Sequence, residues 1–244
     1  MNEEDWNAFA AEYYLNQREG KTTIVKDVID YLKREDILPT EQIVDVAGGS
    51  GRYLAMAKEA KMYELIDFSS EMLKFAAKEV VNLSIENICL TKKTFLSFLE
   101  NAKKYDLIFS ASNPALDHPI KLEKIYRKMK KACVIIRVVY SKDDLFAPLE
   151  EQLDILEEDY IVSSEIMKLF ETYLKEEEIP YKSKKFTYLL KEKITESFMK
   201  DYYEEYLEDA RFNEYVKKYF DQKEQVISTT KLTYQLLLIL PQER

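Results

Sequence analysis

The chain has 244 residues, of which 46% are hydrophobic and 33% charged, and its formal net charge is −9. This composition is typical of a globular protein with a sizeable core, and the acidic balance disfavours nucleic acid as a partner, because nucleic-acid binders present a basic face. No apolar run approaches the roughly 20 residues of a membrane span, and the N-terminus is acidic. We therefore expect a cytoplasmic protein with no membrane partner.

The two cysteines and the single histidine argue against a metal site. Cys89 and Cys133 lie in apolar runs that predict buried strands, and the pair lacks the spacing of metal ligands. Because one histidine cannot complete a zinc site of the usual His/Cys kind, we expect no metal and an organic cofactor.

Predicted strands and helices alternate through the first half of the chain. A helical segment comes first, at 6–33. The predicted strands that follow are 42–46, 62–66, 88–90, 106–110 and 132–139, and the predicted helices between them are 52–61, 69–81, 94–101 and 119–131. Strands alternating with helices at this interval predict a parallel sheet covered on both faces.

The pattern changes beyond residue 140. The sequence predicts one or two acidic helices at 146–175, a strand at 186–194, a tyrosine-rich helical stretch at 195–220 and a last strand at 231–240. No repeat or flexible linker separates these segments, so we expect a single domain. Its parts would be an N-terminal helical lid (1–35), a cofactor-binding core (36–140), and cap elements with the C-terminal strands (141–244).

Glycine is scarce and clustered. The chain contains four glycines, where average usage would give about 17. Three of them, Gly48, Gly49 and Gly51, directly follow the first predicted strand. Such a cluster indicates a turn that needs positive φ or lets a ligand approach the backbone closely. A turn there, followed by a helix N-terminus, suits an anionic or polar ligand group.

An acidic residue lies at a suitable distance from this turn. Asp67 ends the second predicted strand, where a carboxylate can accept both hydroxyls of a ribose. The alternative is a tight turn without a ligand and an Asp67 that merely precedes a helix. A dinucleotide fingerprint would need a third glycine where Leu54 stands, which disfavours a NAD(P)-dependent oxidoreductase.

Two stretches resemble the motifs of a known family. The segment 44–52 (VDVAGGSGR) is similar to the first motif of class I S-adenosylmethionine-dependent methyltransferases, with Ala47 in place of the first glycine. The segment 66–73 (IDFSSEML) resembles the second motif, and 105–110 and 125–129 resemble the fourth strand and the helix before strand five. The resemblance covers about residues 36–140. It implies a Rossmann-like α/β fold with a seven-stranded, mostly parallel sheet, an antiparallel last strand and helical cap insertions.

The resemblance also implies S-adenosylmethionine as the cofactor and assigns residues to it. The implied contacts are Ala47, Gly48, Gly49, Ser50 and Gly51 at the methionine end with Asp45 in the preceding strand, Asp67 at the ribose, Phe68, Met72, Thr94 and Phe95 at the adenine, and Ser110 and Ala111 below the sulfonium. Thr94 departs from the aspartate that many relatives have near the adenine amino group. Tyr14, with Tyr13, would close over the cofactor; simple packing of the N-terminal helix is the alternative.

The loop 112–119 follows the fourth strand, where substrate and cofactor meet in the family. His118 is a candidate base at neutral pH, and a surface or capping role is its alternative. The pair Asn113-Pro114 resembles in part the Asn-Pro-Pro-Tyr motif of amino-methylating relatives, but the second proline and the tyrosine are missing. Because the methyl group of a sulfonium is already activated, a dedicated acid–base group is optional.

The sequence therefore predicts an enzyme that transfers a methyl group from S-adenosylmethionine to a small-molecule acceptor by in-line displacement. We expect the insertions 146–178 and 195–225 to form a cap above the strand ends, which favours a small acceptor over RNA or protein. A non-catalytic S-adenosylmethionine sensor and a NAD(P)-dependent oxidoreductase are the alternatives. Monomer and homodimer are both compatible with the sequence.

Overall fold

A computed structural model describes residues 2–20, 22–155 and 162–242 of the chain. The predicted helical region 146–175 therefore includes a segment, 156–161, that lies outside the described residues. The helices are α1 (Glu3–Glu19), α2 (Ile24–Arg34), α3 (Ser70–Asn82), α4 (Phe95–Glu100), α5 (Pro119–Tyr126), α6 (Phe146–Gln152), α7 (Ser164–Glu176), α8 (Glu196–Tyr202) and α9 (Ala210–Phe220). The strands are β1 (Thr40–Val46), β2 (Ala60–Asp67), β3 (Ile88–Lys92), β4 (Tyr105–Ala111), β5 (Met129–Asp143), β6 (Tyr181–Thr195) and β7 (Gln225–Ile239).

The seven strands form one sheet in the order β3-β2-β1-β4-β5-β7-β6. The pairs β1–β2, β1–β4, β2–β3 and β4–β5 are parallel. The last strand, β7, is antiparallel, and the bond from the amide of Leu240 to the carbonyl of Pro180 joins its end to the start of β6. The predicted Rossmann-like fold with an antiparallel last strand is confirmed.

The register of the parallel strands brings the carboxyl ends of β1, β2 and β4 to the same edge of the sheet. Val46, at the end of β1, lies opposite Ile66 of β2, and Asp45 lies opposite Phe109 of β4. Residues 43–46 of β1 and 107–110 of β4 are buried, as is typical of parallel strands that are covered on both faces. The loops that follow the three strands therefore converge.

Three local predictions were wrong. The predicted helix 52–61 is instead a short 3-10 helix, Leu54–Glu59, because the glycine turn extends to residue 53 and β2 begins at Ala60. The predicted helix 119–131 ends at Tyr126, since β5 begins at Met129. Cys89 is exposed, because β3 is an edge strand of the sheet. The thiol of Cys133 is buried, and burial raises its pKa to about 12.

The described chain divides into two compact units. The first comprises Met1–Arg137, Ser164–Phe186 and Gln235–Arg244, and the second comprises Val138–Ser163 and Thr187–Tyr234. Helix α7 lies in the first unit and packs against α5, whereas α6 lies in the second. The predicted insertion 146–178 is thus divided between the two units.

The second unit has its own apolar core, formed by α6, α8, α9 and the residues next to them. Tyr203 and Tyr215 belong to this core. Their hydroxyls donate to the Glu150 carboxylate and to the carbonyl of Leu145, each at 2.8 Å. These two tyrosines are therefore structural, whereas Tyr202 is 58% exposed. Within the described residues, no helix is long and apolar enough to span a bilayer.

Candidate functional site

A cavity of about 340 Å³ lies in the first unit, where the loops after β1, β2 and β4 converge. Its volume is in the lower part of the range typical of small-ligand sites. Most lining side chains are apolar or aromatic, and a few are polar. The described residues that line it are Trp6, Tyr13, Val46, Ala47, Gly49, Ile66, Asp67, Phe68, Met72, Lys93, Phe95, Ala111, Ser112, Asn113, Pro114 and Ala115.

The glycine turn after β1 forms one wall of the cavity. Gly49 and Gly51 have φ of +56° and +88°, and Ala47 has φ of +58° although it carries a side chain. A Cβ on Gly49 would lie 3.7 Å from the Tyr13 ring and 4.0 Å from the Met72 sulfur. Because both neighbours line the cavity, a side chain at position 49 would fill cavity space.

Gly48 is required for a different reason, which is packing beneath the turn. A Cβ there would lie 2.6 Å from the Leu65 side chain and 2.8 Å from a carboxylate oxygen of Asp45. Neither Gly48 nor Gly51 is among the described lining residues. These two glycines therefore build the turn, and Gly49 with Ala47 presents it to the cavity.

Asp67, at the end of β2, connects the turn after β1 to the start of α3. Its Oδ2 accepts a hydrogen bond from the amide of Gly49 at 2.9 Å, and its Oδ1 accepts one from the amide of Ser69, also at 2.9 Å. The carboxylate is 6% exposed. Burial raises the pKa of Asp67, and the backbone hydrogen bonds oppose this effect. The two sequence motifs thus meet in space.

Asp45, the acid within β1, lies beneath the turn. Its Oδ2 accepts a hydrogen bond from the Tyr63 hydroxyl at 2.8 Å, whereas its Oδ1 is buried without a hydrogen-bond partner among the described residues. Burial raises the pKa of Asp45 to about 7. Asp45 is not one of the described residues lining the cavity, and it packs beneath the turn, where a Cβ on Gly48 would lie 2.8 Å from its carboxylate.

Helix α1 covers the cavity with Trp6 and Tyr13, whose rings are 6.1 Å apart. The helix packs against α3. The Ser69 hydroxyl donates to the side chain of Asn7 at 2.7 Å, and the Ser50 hydroxyl donates to that of Gln17 at 2.8 Å. Ser50, a predicted cofactor contact, is not among the described lining residues; its hydroxyl is bonded to α1.

Tyr14 is not among the described residues that line the cavity. Its ring stacks on Phe75 at 4.6 Å, and its hydroxyl donates to the Glu79 carboxylate. Thr94 also lies outside the described lining: it is exposed, and its hydroxyl oxygen caps α4 by accepting from the amide of Ser97 at 3.2 Å. At the adenine end implied by the resemblance, the cavity instead contains its two chain neighbours, Lys93 and Phe95.

The loop after β4 forms the wall opposite the turn. The Ser110 hydroxyl lies behind this wall and donates to the carbonyl of Val46 at 3.1 Å. Asn113 lines the cavity, but its amide is used inside the loop: Nδ2 donates to Ser110 at 3.3 Å, and Oδ1 accepts from the amide of Ala115 at 3.0 Å. The Asn113 amide thus supports the loop, and the catalytic role of this residue stays a prediction.

His118 is exposed and caps the N-terminus of α5, where its Nδ1 accepts a hydrogen bond from the amide of Ile120 at 3.2 Å. It lies outside the described residues that line the cavity. The geometry therefore matches the capping alternative for this residue.

Sequence reasoning missed part of the lining. Trp6 is an example that the sequence could have revealed, because it stands seven residues before Tyr13 and so lies on the same helix face. Lys93, Ser112, Pro114 and Ala115 carry no comparable pattern.

The lining residues fit an adenosyl amino acid. The cavity presents one buried carboxylate, a turn whose backbone is bare at Gly49, and several aromatic rings. These are the groups needed to accept hydroxyls, to approach a polar amino-acid end and to stack on a base.

Comparison with known proteins agrees with this reading. A family model described as a methyltransferase domain matches residues 37–211. A search of curated proteins found no match. Among solved structures, magnesium protoporphyrin IX methyltransferase from Synechocystis PCC 6803, with bound SAH, is 12% identical with a TM-score of 0.56, covering 97% of this chain and 98% of that chain.

Two further structures share the fold. Precorrin-6y C5,15-methyltransferase from Geobacter metallireducens GS-15 is 10% identical with a TM-score of 0.55, covering 90% of each chain. The YcgJ protein from Bacillus subtilis is 15% identical with a TM-score of 0.53, covering 90% of this chain and 98% of that chain. Because the family model covers most of the chain, and both sequence motifs meet at one cavity, the chain belongs to the class I S-adenosylmethionine-dependent methyltransferases, and its cofactor is S-adenosylmethionine.

Proposed function

We propose that S-adenosylmethionine binds in the cavity lined by the turn, Asp67 and the loop after β4, and that the enzyme transfers its methyl group to a small-molecule acceptor. One observation carries the proposal. Asp67 and Gly49 line the same cavity and are joined by a hydrogen bond, so a ligand that contacts one lies within reach of the other.

Asp67 is the proposed ribose contact. Each of its two oxygens accepts one backbone amide, which fixes the plane of the carboxylate. A carboxylate has about four lone-pair sites, so both oxygens can still accept a ribose hydroxyl. The carboxylate is thus oriented before the ligand arrives, and little side-chain entropy is lost on binding.

The turn is the proposed contact of the methionine end. Gly49 leaves its backbone open to the cavity between Tyr13 and Met72. Phe68 and Phe95, with Met72, provide the apolar surface for the adenine. Asp45 supports the turn from below through its contact with Gly48 rather than contacting the cofactor directly.

The bound cofactor supplies a methyl group on a sulfonium, which is an activated leaving group. The protein then has to hold an acceptor in line with that methyl group and to exclude water. Trp6 and Tyr13 of α1 cover the cavity, and the loop after β4 supplies its opposite wall through Ser112 and Asn113. These residues would exclude water and set the approach of the acceptor.

The charge of the protein favours a small acceptor over a nucleic acid. The net charge of −9 opposes binding of a polyanion such as RNA.

The binding step can be tested with the only tryptophan of the chain as a fluorescent probe, because Trp6 lines the cavity. Titration with S-adenosylmethionine and its demethylated product should change the Trp6 fluorescence, whereas NAD and NADP should not. Asp67→Ala should weaken binding about tenfold or more, since it removes a buried hydrogen-bonding partner. The matched control is Asp30→Ala, at a solvent-accessible aspartate of α2 that pairs with Lys26. Equal effects of the two variants would refute the proposed site.

The transfer step requires a separate assay. Cofactor with a radiolabelled methyl group is incubated with a panel of small thiols, amines, phenols and carboxylic acids, and with RNA and protein. Label transferred to a small molecule by the wild type, and lost in Asp67→Ala, would support the proposal. Label found only on RNA or protein would overturn the acceptor class, and binding without any transfer would favour a sensor.

A further inference from the structure

Arg137 is a buried cation that no pattern in the sequence singles out. It follows Ile136 in β5, and Ile136 lies opposite Ala111 at the end of β4. Its side chain is buried, with 5% of its surface exposed. Burial lowers its pKa to about 10, and Asp117 opposes that effect, so the guanidinium is charged at neutral pH.

The guanidinium donates to two backbone carbonyls of one loop. Its Nη2 contacts the carbonyl oxygens of both Asn113 and Leu116. The same two residues close a turn, because the amide of Leu116 donates to the carbonyl of Asn113 at 3.2 Å. Arg137 therefore joins both ends of this turn to β5.

We name residues 112–116 the wall segment, because four of them line the cavity. The wall segment starts from a strained residue: Ser112 has φ of +47°, a conformation that is unfavourable for residues other than glycine. The amide of Ser112 donates to the carbonyl of Ile136 at 2.9 Å. Such a conformation persists only when its surroundings hold it in place.

We propose that Arg137 is a positioning residue, which fixes the wall segment in the conformation that faces the transferring methyl group. The proposal rests on the proposed function, since that function places the sulfonium between the turn and this wall. In-line displacement depends on sub-ångström positioning of the acceptor. A planar guanidinium holds two carbonyls with less loss of freedom than a lysine ammonium does.

Amide hydrogen exchange tests the structural half of the proposal. Arg137→Met removes the donors at similar length, Arg137→Lys keeps the charge, and Arg127→Met is the matched control at an exposed arginine that pairs with Glu123. With demethylated cofactor bound, we expect exchange in the wall segment to become about tenfold faster in Arg137→Met, less so in Arg137→Lys, and to stay unchanged in Arg127→Met. Exchange at 47–51 should not change.

Kinetics test the functional half. For the small molecule of the panel that the wild type methylates, Arg137→Met should lower kcat about tenfold and change the KM for S-adenosylmethionine by less than about threefold. Added ethylguanidinium should restore kcat in Arg137→Ala, whereas ethylammonium should not. A merely structural loss would change both constants and would not respond to ethylguanidinium.

The outcomes separate this proposal from the proposed function. If the wild type binds the demethylated cofactor but exchange in the wall segment is the same in Arg137→Met, or rises equally at 47–51, the role of Arg137 is refuted while the cofactor site stands. Failure of the wild type to bind the cofactor would refute the site itself. Should the variants fail to fold, NMR of ¹⁵N-arginine-labelled wild type can measure the exchange of the guanidinium hydrogens with water. Exchange at Arg137 as fast as at Arg127 would overturn the proposal, and slower exchange at Arg137 would support it.

Discussion

The carboxylate of Asp67 accepts a hydrogen bond from the backbone amide of Gly49 at 2.9 Å. The acid ends β2 and the amide belongs to the turn after β1, so this bond joins the two motifs that the sequence shows 18 residues apart. It also fixes the distance between the two proposed ends of the cofactor site.

Gly49 and Gly51 should respond differently to alanine. At position 49 the new Cβ enters the cavity between Tyr13 and Met72, so Gly49→Ala should weaken S-adenosylmethionine binding about tenfold, with about 1 kcal/mol lost in stability from the positive φ. At position 51 the Cβ would lie 2.3 Å from Leu54, so Gly51→Ala should mainly lower the free energy of unfolding. Calorimetric titration and urea unfolding of both variants would show the contrast. The prediction would be contradicted if, for the same loss in stability, Gly51→Ala weakened binding more than Gly49→Ala does.

Ala47 provides a test of backbone strain. It has φ of +58°, a conformation that costs an L-residue about 1 to 2 kcal/mol, whereas glycine adopts it freely. Ala47→Gly should therefore raise the free energy of unfolding by about 0.5 to 1 kcal/mol, after the larger entropy of the unfolded glycine chain is subtracted. The control Ala77→Gly, on the exposed face of α3, should lower stability by about 1 kcal/mol. Urea unfolding measures both, and a decrease in Ala47→Gly would contradict the assigned strain.

Asp45 should make stability depend on pH. Burial raises its pKa in the folded protein to about 7, above the value of about 3.9 in an unfolded chain. Between these values the unfolded chain loses its proton first, so the free energy of unfolding should fall as pH rises from about 4 to about 7, by at most about 4 kcal/mol. Above pH 7, where Asp45 is ionised in both states, it should lower the free energy of unfolding no further.

Asp45→Asn should remove that dependence, because an amide does not ionise. The variant should therefore gain stability relative to the wild type as the pH rises from 5 to 8, as measured by urea unfolding at each pH. Asp117→Asn is the control, since the pKa of that exposed carboxyl is lowered by Lys121 and lies below this window. Parallel curves for the wild type and Asp45→Asn would contradict the predicted titration.

His118 should be dispensable for chemistry. Because it is exposed and caps α5, His118→Ala should lower the free energy of unfolding by about 1 kcal/mol or less, and His118→Asn should restore the cap. The rate of methyl transfer at pH 7 should be the same in all three proteins. A fall of about tenfold in both variants, with loss of a pH-dependent step near neutrality, would show that His118 acts as a base after all.

The sequence by itself determined the fold and the two motifs of the site. These features are local in the sequence. The hydrophobic pattern that predicts strands and helices can be read from short stretches of chain. The need for positive φ is likewise visible in the glycine cluster at 48–51, and Asp67 stands directly at the end of a predicted strand. Even Ala47, which carries a side chain, adopts the positive φ that the motif demands of a glycine. The fold follows from the order of these elements.

Only the tertiary structure decided which side chains reach the cavity. Tyr13 lines it and Tyr14 does not, since Tyr14 stacks on Phe75 of a helix 61 residues away. Arg137 is a comparable case, because its partners at Asn113 and Leu116 become neighbours only when β4 and β5 pair. Such contacts depend on the packing of distant segments, which no local pattern encodes.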